Sequence, residues 1–369
     1  MDFTKKTREC VQQIHPYVPG KPIEEVQREL GITSVIKMAS NENPLGPSTE
    51  VRQALVHHLD KINYYPDANA FYLKEALAKE LDVPAEMIVF GNGSDDVNKV
   101  LGETLLNPED EVIIPQPTFS QYEYITLLMG AKPVFVRGEG LEHDLGAMLK
   151  AVTSKTKMVF ICNPNNPTGT IVRKDELVRF LTALPKGITV VIDEAYGEFV
   201  TDPDFLSGLD CLKQGFTNVV VYRTFSKIYG LAGLRLGYAV ADPTLTEQMN
   251  RVREPFNVNL LAQIAGIAAL NSKMHLNLSK ELVKSGRSYF YEQLDAMGVK
   301  YLQTQANFIL IHCGKDSRDI YEFLLQNGII VRATHSFGLP EYIRVTFGTA
   351  EQNERFFRVF KQTMSAESL

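Results

Sequence analysis

Lys227 sits in the run Tyr222-Arg223-Thr224-Phe225-Ser226-Lys227-Ile228-Tyr229-Gly230-Leu231-Ala232-Gly233-Leu234-Arg235-Leu236-Gly237. A lone lysine is nearly always a solvated surface residue. This one follows two hydroxyls, Thr224 and Ser226, precedes a glycine-punctuated turn, and has Arg235 a few residues on. Those are the parts of a phosphate clamp beside an amine able to form a Schiff base. Burial near cations lowers the pKa of such an amine, as the chemistry requires.

Three other segments carry residues of the same kind. Gly91-Asn92-Gly93-Ser94-Asp95-Asp96 places glycines before a helix start, where free backbone N–H groups suit a phosphate. It is not G-x-G-x-x-G, and no G-K-[ST] loop occurs, so in isolation the phosphate signal is weak and an ordinary capped turn is the favoured reading. Asn163-Pro164-Asn165-Asn166-Pro167-Thr168-Gly169 is a rigid loop that holds amide donors on a stiff backbone. Asp193-Glu194-Ala195-Tyr196 offers a carboxylate that is either a helix cap or a functional group.

These segments need a frame, and the apolar pattern supplies one. Met87–Phe90, Glu111–Pro115, Val134–Val136, Met158–Cys162, Thr189–Asp193, Val219–Tyr222 and Leu236–Val240 read as strands covered on both faces. Helical stretches such as Asp95–Leu106, Phe119–Met129 and Lys174–Leu184 lie between them. The alternation predicts an α/β domain with a mainly parallel mixed sheet flanked by helices, and ligands bind at the strand ends of such a sheet. After residue 243 a helical pattern runs through Thr244–Met297, including Leu260–Asn271. Strands at Phe308–His312, Ile329–Arg332 and Tyr342–Thr346, with helices at Asp316–Gln326 and Glu351–Met364, make a second, smaller α/β domain. The expected division is a large domain over 46–260 and a small domain built from 1–45, as an N-terminal arm, and 261–369.

Composition removes other classes. The 369 residues are 44% apolar and 22% charged, which is an ordinary globular mixture and excludes disorder and disulfide miniproteins. A net charge of -6 has the wrong sign for a nucleic-acid binder. No run approaches a membrane span, and Met1–Cys10 lacks the apolar core of a signal peptide, so a cytoplasmic protein is expected. Cys10, Cys162, Cys211 and Cys313 are far apart, which favours free thiols in a reducing compartment. His57 and His58 are sequence neighbours and cannot share one helical face, and no zinc spacing occurs, so no metal is expected.

NPNNPTG, then D-E-A-Y, then T-F-S-K…A-G-L-R-L-G, in that order, resembles the pyridoxal-phosphate aminotransferases of fold type I. The resemblance runs almost from end to end. Met38–Pro47 (MASNENPLGP), Tyr65-Pro66-Asp67, Ala306-Asn307-Phe308 and the late arginines most resemble the histidinol-phosphate aminotransferases. The resemblance implies pyridoxal 5′-phosphate as cofactor, held covalently by Lys227, which would then shuttle the substrate's Cα proton. It implies Asp193 as partner of the pyridine nitrogen, and Asn166 and Tyr196 as hydrogen-bond partners of the ring oxygen. Phe119 would stack on the ring, where many relatives carry tyrosine. Ser94, Asp95, Thr224, Ser226 and Arg235 would surround the cofactor phosphate, with Tyr65 reaching it from the second subunit of a homodimer. Arg344 would bind the substrate carboxylate, Arg332 with Tyr17 a substrate phosphate, and Asn43 would complete the substrate site.

The implied reaction is reversible, ping-pong transfer of an amino group between glutamate and imidazole-acetol phosphate, in histidine biosynthesis. An aromatic amino-acid aminotransferase and a threonine-phosphate decarboxylase share the cofactor motifs and remain open. A transcription regulator with an aminotransferase-like domain would need a DNA-binding module, and the roughly forty residues of mixed charge before MASNENP leave no room for one.

Overall fold

The protein is described by a computed structural model covering residues 3–17 and 19–365. Met1 and Asp2, the first residues of the segment read for a signal peptide, lie outside the described residues. After the short strand β1 (Ile36–Lys37) come β2 (Ile88–Gly91), β3 (Glu111–Gln116), β4 (Lys132–Arg137), β5 (Thr156–Cys162), β6 (Thr189–Asp193), β7 (Val219–Thr224) and β8 (Gly237–Val240). The last seven form one sheet in the order β2-β8-β7-β6-β5-β3-β4. All pairs are parallel except those of β8, which runs antiparallel to both β2 and β7.

Alternate residues of the continuous apolar runs enter different cores. On β6, Val190 and Ile192 join one cluster and Val191 the other; on β7, Val219 and Val221 part from Val220 and Tyr222 in the same way. Period-two geometry makes this division, and helices on each face complete it. Val97, Val100 and Leu101 of helix Ser94–Leu105 cover one face, and Leu177, Phe180 and Leu181 of helix Lys174–Ala183 the other.

The helical stretch after residue 243 is three helices, Pro243–Val252, Leu260–Asn271 and Lys273–Ala296. The first break holds Pro255, which cannot continue a helix, and Phe256 at φ 59°. Beyond them lie β9 (Tyr301–Leu302), β10 (Phe308–His312), β11 (Ile329–Ile330), β12 (Arg332–Ala333) and β13 (Tyr342–Thr346). The expected single strand Ile329–Arg332 is split, because the chain changes partner at Val331. β11 pairs parallel with β1, whereas β12 joins an antiparallel sheet of order β12-β13-β10-β9. Phe290 of the long helix packs on Phe347, Phe356 and Phe357, which seats the last helix, Ala350–Ser365, against this sheet.

The segment after β1 stitches the two sheets together. Thr346 N–H donates to Met38 O at 2.8 Å, Asn41 N–H to Thr346 Oγ1 at 2.9 Å, and Asn307 Nδ2 to Asn41 O at 3.0 Å. No helix among the described residues is long and apolar enough to cross a membrane.

Candidate active site

The carboxyl ends of β5, β6 and β7 open on a cavity of about 240 Å3. The structure brings Tyr17, Ser94, Asp95, Phe119, Asn166, Asp193, Tyr196, Thr224, Ser226, Lys227, Arg235, Arg332 and Arg344 together on its walls. These residues come from distant parts of the chain, and the strand ends place them. Asp193 is the last residue of β6, Thr224 the last of β7, and Asn166 lies in the loop after β5.

Lys227 Nζ donates to Ser40 O at 3.2 Å and lies 5.7 Å from the centre of the Tyr196 ring. Burial, then the nearby Arg344 guanidinium, push its pKa down to about 8, although Glu42 and Asp95 oppose them. A much larger fraction of this amine than of an ordinary lysine is thus neutral, and nucleophilic, near physiological pH. Asp193 is 5% exposed; its Oδ2 accepts from the Tyr122 hydroxyl at 2.7 Å and its Oδ1 from Ala195 N–H at 3.0 Å. Burial raises its pKa to about 6, against the pull of those two donors. The neighbouring Glu194 turns away from the cavity, where its Oε2 accepts from Arg223 at 2.7 and 3.1 Å. That buried pair ties the end of β6 to β7, so the two acidic neighbours have separate duties.

The phosphate end is built on glycine. Gly93, at φ +85°, lies so close to Arg235 that a Cβ would run into the guanidinium, and a Cβ on Gly237 would run into the backbone of Ser94. The cradle leaves the N-terminus of helix Ser94–Leu105 without a side-chain cap, facing Arg235, Thr224 and Ser226. Arg235 is held at φ 56°, an unfavourable conformation for a side chain of its size, and its Nη2 lies 3.5 Å from Asp95 Oδ2. Asn41, also on the cavity wall, has the same positive φ. Backbone strain of this kind gathers at functional sites.

At the opposite end, Arg344 is 6% exposed and donates to Asn166 Oδ1 and, at 2.7 Å, to Ala39 O. Its Nε is buried with no partner, and burial lowers its pKa to about 10. Arg332 lies directly across from Arg344 in the β12–β13 register, over the Tyr17 ring at 5.6 Å.

Two expected residues are not on the cavity wall. Asn43 donates through Nδ2 to Ile228 O and to Ser279 Oγ, both at 2.8 Å, so its amide braces the turn after Lys227 and lies off the cavity wall. Tyr65 is 83% exposed and stacks on Phe256 at 4.7 Å, outside the cavity of its own chain. Conversely, Asn41 lies on the wall and donates to the Tyr196 hydroxyl at 2.9 Å, though only its place in the MASNENP run hinted at it. Tyr122 and the Ser40 carbonyl left no sequence signal.

A phosphorylated pyridine aldehyde fits these groups. The glycine cradle and Arg235 suit its phosphate, the depressed lysine its aldehyde, and buried Asp193, which has hydrogen-bond donors but no cationic partner, its ring nitrogen. This set of parts is that of an aminotransferase. The chain belongs to the class I and II aminotransferase family, whose model matches residues 33–360.

Among curated relatives, the histidinol-phosphate aminotransferase of Moorella thermoacetica is 51% identical over 360 residues, 98% of this chain and 93% of that one. The histidinol-phosphate aminotransferase of Caldicellulosiruptor saccharolyticus is 45% identical over 97% of this chain and 99% of its own. Among solved structures, the histidinol-phosphate aminotransferase of Sinorhizobium meliloti, in complex with pyridoxal-5′-phosphate, superposes with a TM-score of 0.86. It is 25% identical, and the match covers 97% of this chain and 98% of that one.

Proposed function

We propose that this chain is a pyridoxal-phosphate-dependent transaminase that interconverts histidinol phosphate plus 2-oxoglutarate and imidazole-acetol phosphate plus glutamate, in histidine biosynthesis. The observation that carries this reading is the Arg332–Arg344 pair. Directly opposed like charges destabilise a strand pair, and these two stand side by side at one cavity. An anion of more than one charge relieves that repulsion, as a phosphate ester does and a single carboxylate does not.

The cofactor, when bound, supplies an aldehyde that accepts the amino group and a ring that takes up the electron pair released at the substrate carbon. Arg235, Thr224, Ser226 and the N–H groups at Ser94 and Asp95 would hold its phosphate. Asp193 would anchor the ring nitrogen, Asn166 and Tyr196 would hydrogen-bond the ring oxygen, and Phe119 would cover the ring. Lys227 Nζ would hold the aldehyde and move the proton at the substrate's Cα, for which a depressed pKa is suitable.

The test is an assay of glutamate formed from 2-oxoglutarate with histidinol phosphate, phenylalanine or phosphothreonine as donor. Histidinol phosphate is expected to exceed phenylalanine by at least about tenfold in kcat/KM, the worth of a charge-assisted contact. A preference for phenylalanine makes the protein an aromatic aminotransferase. Carbon dioxide release without demand for 2-oxoglutarate makes it a decarboxylase.

A homodimer with shared sites belongs to the same proposal. Tyr64, Tyr65, Phe71 and Tyr72 are each more than half exposed on one part of the surface, a grouping that marks an interaction face. A second copy seated there brings its Tyr65 to the phosphate end. Mixing inactive Lys227→Ala chains with Tyr65→Ala chains restores activity, because each mixed dimer regains one whole site. Full activity of a dilute monomer in sedimentation contradicts this.

The division into domains at 46–260 and at 1–45 with 261–369 is also proposed, supported by a seven-stranded sheet wholly within 88–240 and a small antiparallel sheet within 301–346. A cytoplasmic location is also proposed, supported by the wide spacing of the four cysteines in the sequence.

A further inference from the structure

We infer that Tyr122 is a positioning residue of this site, whose hydroxyl holds Asp193 as an oriented anion for the cofactor's ring nitrogen. The inference rests on the functional reading above and concerns a residue that touches neither cofactor nor substrate. Tyr122 lies in helix Gln121–Leu128 and is 1% exposed. Its ring stacks on Phe160 of β5 at 4.4 Å with planes 11° apart, and Phe119 meets it edge-on at 5.8 Å. The ring is therefore fixed by the sheet on one side and braces the cavity's stacking residue on the other.

Its hydroxyl donates to Asp193 Oδ2 at 2.7 Å. With Ala195 N–H on Oδ1, both carboxylate oxygens have a donor fixed by the fold, which sets the plane of the group. The remaining lone pairs are all that Asp193 presents to the cavity.

The charges around Asp193 make that hydroxyl important. From the packed elements it faces Cys162 at the end of β5, Tyr222 of β7 and Asp95 of helix Ser94–Leu105, with Glu194 beside it. Each of these is neutral or an acid, and none is a cation. Desolvation and the two acids raise the Asp193 pKa, and the two hydrogen bonds are what oppose them. A phenol this deeply buried stays protonated, since its own pKa is far above the ordinary value, so it is a permanent donor. Removing it moves Asp193 toward the neutral acid near pH 7. A neutral acid cannot anchor a protonated ring nitrogen.

The experiment compares pyridoxal phosphate binding to apoprotein, by fluorescence quenching across about pH 5.5 to 9, in wild type and Tyr122→Phe. Loss of one charge-assisted hydrogen bond shifts a carboxyl by about one pH unit. The variant is therefore expected to bind about five- to tenfold more weakly at pH 6 and to converge on wild type by about pH 8.5. In an Asp193→Asn background the same substitution is expected to leave no pH-dependent difference, because the group it acts through is gone.

A ratio of affinities that is constant with pH means that Tyr122 only fills space, and overturns the inference while leaving the transaminase reading intact. Wild-type apoprotein that fails to bind the cofactor at any pH overturns both. If Tyr122→Phe does not fold, 3-fluorotyrosine at position 122, a stronger donor of the same shape, must extend tight binding to lower pH. An unmoved profile there also overturns the inference.

Discussion

Lys227→Ala abolishes covalent capture of the cofactor and lowers kcat by at least about 10^4-fold, since binding of the aldehyde and proton transfer depend on one amine. Wild-type protein is yellow, and borohydride reduction fixes the pyridoxyl group on the peptide that contains Lys227. The variant still binds the cofactor reversibly, because Arg235, Thr224, Ser226 and the Ser94 helix end are untouched. In wild-type apoprotein the rate of capture rises with pH through a midpoint of about 8 and levels off above it as the folded-state amine becomes neutral. The sign follows from the shift: burial and Arg344 disfavour the charged amine, so it gives up its proton well below the ordinary 10.5. Near-normal turnover in Lys227→Ala, or a capture rate still climbing at pH 10, removes Lys227 from the mechanism.

Arg344→Ala damages both half-reactions, whereas Arg332→Leu is selective for phosphate. Arg344 is buried, and its loss leaves Asn166 Oδ1 and Ala39 O without their donor as well as the substrate carboxylate without its fork. On the proposed function Arg332 would be the second cation that a dianion needs, since an uncompensated charge in a site of this kind costs several kcal/mol. Arg332→Leu is therefore expected to lower kcat/KM for histidinol phosphate at least about tenfold more than for phenylalanine. Equal losses for the two substrates show that Arg332 does not read phosphate, and the aromatic aminotransferase becomes the better description.

The strand-end residues were legible because chemistry and local structure coincide there. Asp193 ends a run of buried Val and Ile, and Lys227 stands between hydroxyls and glycines, so each marks its own place on the sheet. Residues that act through tertiary contact left weaker traces. Asn41 and Asn43 lie two apart in one motif, and nothing in their types says that Asn41 faces the cavity while Asn43 turns to Ile228 and Ser279. Tyr122 reads as one more apolar position of an amphipathic helix, because its partner is 71 residues away in sequence. The division of Ile329–Arg332 escaped notice for a similar reason: both halves have strand character, and only the change of partner, from β1 to β13, separates them.

The hydrogen bonds between the segment after β1 and β13 also dictate an order of assembly. Every strand of the seven-stranded sheet has been synthesised by Val240, while Met249 and helix Leu260–Asn271 have still to join the cores on its two faces. The wall formed by Ala39, Ser40 and Asn41 finds partners in Arg344 and Thr346 only across 305 residues. Contacts so far apart in sequence carry the largest loop-closure cost, and they reward the chain last. A growing chain on the ribosome therefore has every residue of its phosphate cradle, and its lysine, before it has Arg332 and Arg344. The arginine of the final strand is thus the last part of the cavity wall to be made.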